Sequence, residues 1–69
     1  MIICHLKRLL NREGISQQEL YRQTGIRPQT ITNLCNNSFQ SFPVHVTDLL
    51  CRRLNCSVEE LFSYLEEMS

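Results

Sequence analysis

Cysteine and histidine are the residue types in this sequence best suited to nucleophilic or metal chemistry. They stand at Cys4, His5, Cys35, His45, Cys51 and Cys56. The cysteines form no Cys-x-x-Cys pair, and no His stands near them at the spacing of a zinc site. Cys4 and His5 are sequence neighbours, which do not face each other on a helix. We therefore expect no metal, no cofactor and no enzyme activity.

Uncharged amide and hydroxyl side chains gather in the segment 28–36, which has helical periodicity. Its apolar side comprises Ile31, Leu34 and Cys35, and its polar side comprises Gln29, Thr32, Asn33 and Asn36. Asn and Gln can form a bidentate pair with the groove edge of adenine, and Thr offers a methyl group to thymine. One side of this helix suits a protein core, and the other suits a polar partner.

The helix before this segment has well-marked ends. It begins at the Ser-x-x-Glu pattern of Ser16 and Glu19, in which the hydroxyl and the carboxylate each cap a backbone amide. It must stop near Gly25, and Pro28 then stands where a new helix can begin. The turn between the two helices is Gly25, Ile26 and Arg27. Two short helices joined by such a turn form the arrangement that puts a recognition helix in the major groove of DNA.

Three further helices are predicted around this pair. A first helix over about residues 2–12 ends before Gly14, a fourth has the stripe Val44, Thr47, Leu50, Cys51 and Leu54, and a fifth begins at Ser57 with the stripe Val58, Leu61, Phe62 and Leu65. A polar and aromatic loop joins the third helix to the fourth, and we predict no strand. The fold class is therefore all-α with five helices, and we expect residues 1–69 to form a single domain.

Charge is unevenly distributed along this short chain. Seven basic and seven acidic side chains give zero formal net charge. The first 34 residues carry five basic and two acidic side chains, and the remaining 35 carry two basic and five acidic ones. A nucleic acid would therefore contact the first half. With no apolar run of about 18 residues and no signal peptide, we expect a cytoplasmic protein with no membrane segment and with reduced thiols.

Residues 16–37, SQQELYRQTGIRPQTITNLCNN, resemble the helix-turn-helix of the Cro and phage-repressor type, also called the XRE family. The segments 49–56, LLCRRLNC, and 60–65, ELFSYL, are similar to the closing two helices of small members of that family. The resemblance covers nearly the whole chain. It implies a lambda-repressor-like five-helix domain of bacterial or phage type, in which helices 2 and 3 form the helix-turn-helix.

Carried over by position, the resemblance implies a set of DNA contacts. The base-reading residues are Gln29, Thr32, Asn33 and Pro28, of which Pro28 touches only a thymine methyl group. The residues predicted to contact the DNA backbone are Gln17, Arg27, Thr30 and Asn36. Arg8, Arg12 and Arg22 are either neighbours of phosphate groups or plain surface charge.

Three positions depart from the family pattern. Tyr21 stands where a small residue is usual, so either helices 2 and 3 are splayed or Tyr21 turns to the surface. Arg27 replaces a Ser or Thr cap and can instead reach a phosphate or a guanine. Asn37 stands where Gly is common, a mild change because Asn tolerates a left-handed backbone.

The expected function is a DNA-binding transcriptional regulator, most simply a repressor, that binds a double-stranded operator as a homodimer. The residues assigned to the dimer contact are Tyr64, Met68 and Phe62. The alternative is a protein-interaction module of the antitoxin or anti-repressor type, which keeps the fold and uses Phe39, Phe42 and helix 5 against a protein partner. Zero net charge and the irregular Tyr21, Arg27 and Pro28 favour this alternative slightly.

Overall fold

The computed structural model describes residues 1–41 and 43–66. The elements in these ranges are, in chain order, β1 (Ile2–Cys4), α1 (Leu6–Glu13), α2 (Gln17–Thr24), α3 (Pro28–Cys35), α4 (Val44–Leu54), α5 (Val58–Leu61) and β2 (Phe62–Tyr64). The predicted five-helix architecture is confirmed for the described part of the chain, with α2 and α3 as the helix-turn-helix.

Two short strands replace the outer ends of the first and last predicted helices. β1 pairs antiparallel with β2 in the register Ile2↔Tyr64, Ile3↔Ser63 and Cys4↔Phe62. The prediction that no strand forms was therefore wrong, as was the start of helix 1 near residue 2. β-branched and aromatic residues fit a paired strand well, but only a partner elsewhere in the chain realises that preference.

Local capping signals set several of the other helix ends. Gly14 and Gly25 have φ of 68° and 74°, the left-handed backbone that ends α1 and α2. The Ser16 side chain accepts a hydrogen bond from the Glu19 amide at 3.1 Å. Ser57 and Glu60 form the complete reciprocal capping box at the start of α5.

The core lies where all five helices and the small sheet meet. Its fully buried side chains are Leu6, Leu20, Ile31, Leu34, Leu50, Leu54 and Leu61. Ile31 and Leu34 lie on the apolar side of α3, so this helix is anchored by one face. The opposite face of α3 is left for another role.

Asn37 ties the end of α3 to the outer edge of β1. Its φ of 57° is left-handed. The Cys4 amide donates to Asn37 Oδ1 at 2.6 Å, and Asn37 Nδ2 donates to the Cys4 carbonyl at 3.4 Å. The Asn37 carboxamide thus takes the place of a neighbouring strand at Cys4.

Asn37→Gly is expected to lower the free energy of unfolding by about 1–2 kcal/mol. The change removes both hydrogen bonds while keeping a residue suited to positive φ. Asn37→Ala is expected to cost about 1 kcal/mol more, because its Cβ is strained in that backbone conformation. Urea unfolding followed by circular dichroism measures both values. A glycine variant as stable as the parent protein would contradict a stabilising role for the carboxamide.

Thr47 buries a hydroxyl group in the core. The residue is 4% exposed, and Oγ1 has no hydrogen-bond partner within the described ranges. We expect Thr47→Val to raise the free energy of unfolding by about 1 kcal/mol, because it removes the unpaired hydroxyl and keeps a similar shape. Thr47→Ser is the matched control, since it keeps the hydroxyl and loses a methyl group. Thermal unfolding of both variants tests the sign, and a destabilised valine variant would overturn this prediction.

Candidate DNA-binding surface

The turn between α2 and α3 is held by short-range hydrogen bonds and one buried side chain. Thr24 Oγ1 donates to the Leu20 carbonyl at 2.7 Å and accepts from the Ile26 amide at 3.2 Å. Ile26 is 6% exposed and joins the core. Because both the turn and the apolar side of α3 are anchored, the polar side of α3 keeps a fixed direction relative to α2.

Gln29 and Asn33 lie one turn apart on the outer side of α3 and bond to each other. Gln29 Nε2 donates to Asn33 Oδ1 at 2.9 Å. Gln29 Oε1 and Asn33 Nδ2 make no hydrogen bond of their own within the described part of the chain, so an acceptor and a donor remain available on this side of α3. Adenine presents a donor at N6 and an acceptor at N7 in the major groove, which this pair of atoms complements.

Gln17 links the first turn of α2 to the same surface. Thr32 Oγ1 donates to Gln17 Oε1 at 3.4 Å. Gln17 is the first residue of α2, beside backbone amides that have no partner within their own helix. Such a helix start suits a phosphate oxygen. Gln17 is therefore placed to contact the DNA backbone, and it lies next to the base-reading face of α3.

Tyr21 turns to the surface, which resolves the alternative left open by the sequence. Its side chain is 42% exposed. It borders a cleft of about 320 Å³ between α2 and α3, lined by Gln17, Gln18, Tyr21, Pro28, Ile31 and Thr32. Pro28 begins α3 at this cleft, so an apolar surface lies directly beside the amide and hydroxyl groups.

Three of the residues predicted to contact the DNA backbone lie in α3 or directly beside it. Arg27 is exposed at the start of α3 and makes no side-chain cap. Thr30 is half-buried and shares a groove of about 450 Å³ with Arg27 and His45. Asn36 is exposed at the other end of α3, where its backbone amide donates to the Thr32 carbonyl at 2.9 Å.

A sequence model of the Cro/C1-type HTH DNA-binding domain family matches residues 5–67. The chain belongs to this family. A comparison with curated proteins found no match. The match spans α1 to α5 and β2, which include both helices of the helix-turn-helix. This Cro/C1-type protein is therefore a DNA-binding protein of the regulator class.

Ion pairs distinguish between arginines whose roles the sequence alone did not assign. Arg12 lies 3.4 Å from Glu13 and 3.3 Å from Glu60, and Arg22 lies 3.6 Å from Glu19. In the described ranges, Arg8 and Arg27 have no such carboxylate partner. These two side chains are therefore available to pair with an external anion such as a phosphate.

Sequence reasoning missed the coupling of Gln29 with Asn33. Their i, i+4 spacing on one helix is a signal that could have found it, because residues at that spacing are neighbours on a helix surface. It also missed the contact of Asn37 with Cys4. No local pattern marks that contact, since 33 positions separate the two residues.

The residues assigned to a dimer contact occupy different environments in this Cro/C1-type protein. Tyr64 is 71% exposed. Phe62 is 7% exposed, and its ring packs edge-on against Phe39 with centroids 5.9 Å apart, so little of it can reach a second subunit. Met68, and Phe42 of the alternative protein-binding surface, lie outside the described residues.

Cys4 and Cys35 are core residues, and His5 follows β1. All four cysteines are free thiols, and burial raises the pKa of the Cys4 thiol to about 11. His5 bonds Ser63 across the sheet at 2.7 Å. Residues 1–41 and 43–66 contain no group of three or more His, Cys, Asp or Glu side chains able to hold a metal ion. Over the same residues, no helix is both long and apolar enough to cross a membrane.

Proposed function

We propose that this Cro/C1-type protein is a sequence-specific transcriptional regulator that represses by occupying its operator. It acts in the cytoplasm as one domain over residues 1–69, with α3 in the major groove and α2 across the DNA backbone. The observation that carries this proposal is the Gln29–Asn33 pair, which presents an acceptor and a donor together on the outer side of α3. This arrangement suits adenine, with Thr32 and Pro28 beside it to contact a thymine methyl group.

Backbone contacts set the register of α3 in this proposal. Gln17 at the start of α2 and Asn36 after α3 bind phosphates on either side of the groove. Arg27 adds the charge-assisted contact, and Thr30 lies one turn into the helix beside it. Because the formal net charge is zero, we expect weak non-specific binding and a shallower dependence on salt than a strongly basic domain has.

A two-fold symmetric dimer is part of the proposal, since one module reads only about four or five base pairs. We assign the contact to the outer edge of β2. The Leu65 amide bonds the Met1 carbonyl at 2.8 Å, so by antiparallel alternation the Tyr64 amide and carbonyl point outward. The Asn37 carboxamide already occupies the edge of β1 at Cys4. A second β2 strand can therefore extend the sheet from its Tyr64 side.

Tyr64→Lys is expected to raise the dimer dissociation constant by roughly tenfold or more, because it brings like charges together near the two-fold axis. The matched control is Val44→Lys, which adds the same charge at a residue that is 70% exposed at the start of α4. Sedimentation velocity over a concentration series measures both. Equal dissociation constants for the two variants would rule out the β2 edge.

Selection of bound sites from a random pool of double-stranded DNA tests the function itself. We expect enrichment of a two-fold symmetric motif with adenines at fixed positions and half-sites roughly 10 base pairs apart. Protein that is folded by circular dichroism but enriches no motif at low salt would overturn the proposal.

The second candidate function is a protein-interaction module that keeps the helix-turn-helix. Zero net charge and the exposed Tyr21 beside Pro28 favour it, because an aromatic and apolar surface suits a protein partner as well as DNA. A tight complex with a co-purifying protein that survives Gln29→Ala with Asn33→Ala would favour this candidate over operator binding.

A further inference from the structure

Cys51 and Cys56 meet where α4 ends. Asn55 has a left-handed φ of 51°, and the Cys56 amide turns back to the Cys51 carbonyl at 3.1 Å. In this type of helix end, the side chains at these two positions normally pack against each other. The turn therefore brings the Cys51 and Cys56 side chains close together at the end of α4.

The four thiols divide into two pairs by exposure. Cys4 and Cys35 are 4% and 8% exposed and belong to the core. Cys51 and Cys56 are half-buried and pack on the edge of that core. A small reagent can reach the second pair without unfolding the protein.

We propose that Cys51 and Cys56 form a dithiol that a small-molecule disulfide closes into an intrachain disulfide. The Cys51 thiolate attacks one sulfur of the reagent, forms a mixed disulfide and releases one reagent thiolate. Cys56 loses its proton and attacks the Cys51 sulfur, which releases the second thiolate. The protein dithiol is oxidised by two electrons, and the reagent disulfide is reduced to two thiols.

The environment of Cys56 sets the order of these steps. Its pKa is raised to about 11, first by burial and then by the adjacent Cys51. Because the raised pKa disfavours the Cys56 thiolate, we assign the first attack to Cys51. Once Cys51 carries the mixed disulfide, Cys56 is the resolving thiol, because it is already next to that sulfur.

The disulfide joins Cys51, near the end of α4, to Cys56, which directly precedes the α5 capping box. The ring covers only residues 51–56 and restrains the unfolded chain at that point. We expect the oxidised protein to melt about 5–10 °C higher than the reduced protein. A lower melting temperature would show that the native turn does not accommodate the bond, and it would overturn the proposal.

The direct test treats the folded full chain with oxidised glutathione and measures intact mass. We expect a loss of about 2 Da, reversed by a reducing agent. Trypsin cuts after Arg52 or Arg53, between the two cysteines, so the closed ring keeps both fragments together until it is reduced. Cys51→Ser and Cys56→Ser are the matched controls, and neither should lose 2 Da. Stable glutathione adducts on the parent protein without closure, or a bond between other cysteines, would contradict the assignment.

Discussion

Gln29→Ala is expected to weaken operator binding by about 1–3 kcal/mol, or roughly 5- to 150-fold, without a change in fold. The lost interaction is one bidentate contact with a base. Because Gln29 Nε2 and Asn33 Oδ1 are hydrogen-bonded, Asn33→Ala should have a similar effect. The double variant should lose much less than the sum of the two, since each side chain orients the other.

Fluorescence anisotropy with the selected operator measures the four dissociation constants of this cycle. Asn11→Ala is the control, because it removes an exposed amide that the proposal does not use. Circular dichroism establishes that each variant is folded. A double variant that binds the operator as tightly as the parent protein would show that α3 does not read the bases.

Leu50→Ala is expected to lower the free energy of unfolding by about 2–5 kcal/mol. The Leu50 side chain is 0% exposed, so the change leaves a cavity at the centre of the core. A chain of this size has a small total stability. We therefore expect a large unfolded fraction at 37 °C in thermal unfolding experiments.

Val58→Ala provides the contrast for the core prediction. Val58 is aliphatic and 51% exposed, so its truncation should change the free energy of unfolding by less than about 0.5 kcal/mol. If Leu50→Ala is equally mild, Leu50 does not lie at the centre of the core. Leu50→Ala also separates the two ways to lose DNA binding, because it acts through the fold whereas Gln29→Ala acts at the surface.

Much of the helix-turn-helix was predictable because its signals are local. Ser16 caps α2 through an amide only three residues away, and Gly25 ends that helix through its own backbone. Pro28 begins α3 for a similar reason, since its ring fixes φ and it lacks an amide proton. The two sides of α3 follow from helical periodicity, and the burial of Ile31 agrees with the predicted apolar side.

The tertiary structure alone decided the features that join distant residues. Ile2 pairs with Tyr64, and Cys4 bonds Asn37, although the intervening sequence shows no sign of either contact. Arg12 differs from Arg8 through its ion pair with Glu60, a residue 48 positions away that only the fold brings beside it. Local propensity and periodicity describe how a segment behaves alone, whereas strand pairing, ion pairing and exposure depend on which other segment the folded chain brings beside it.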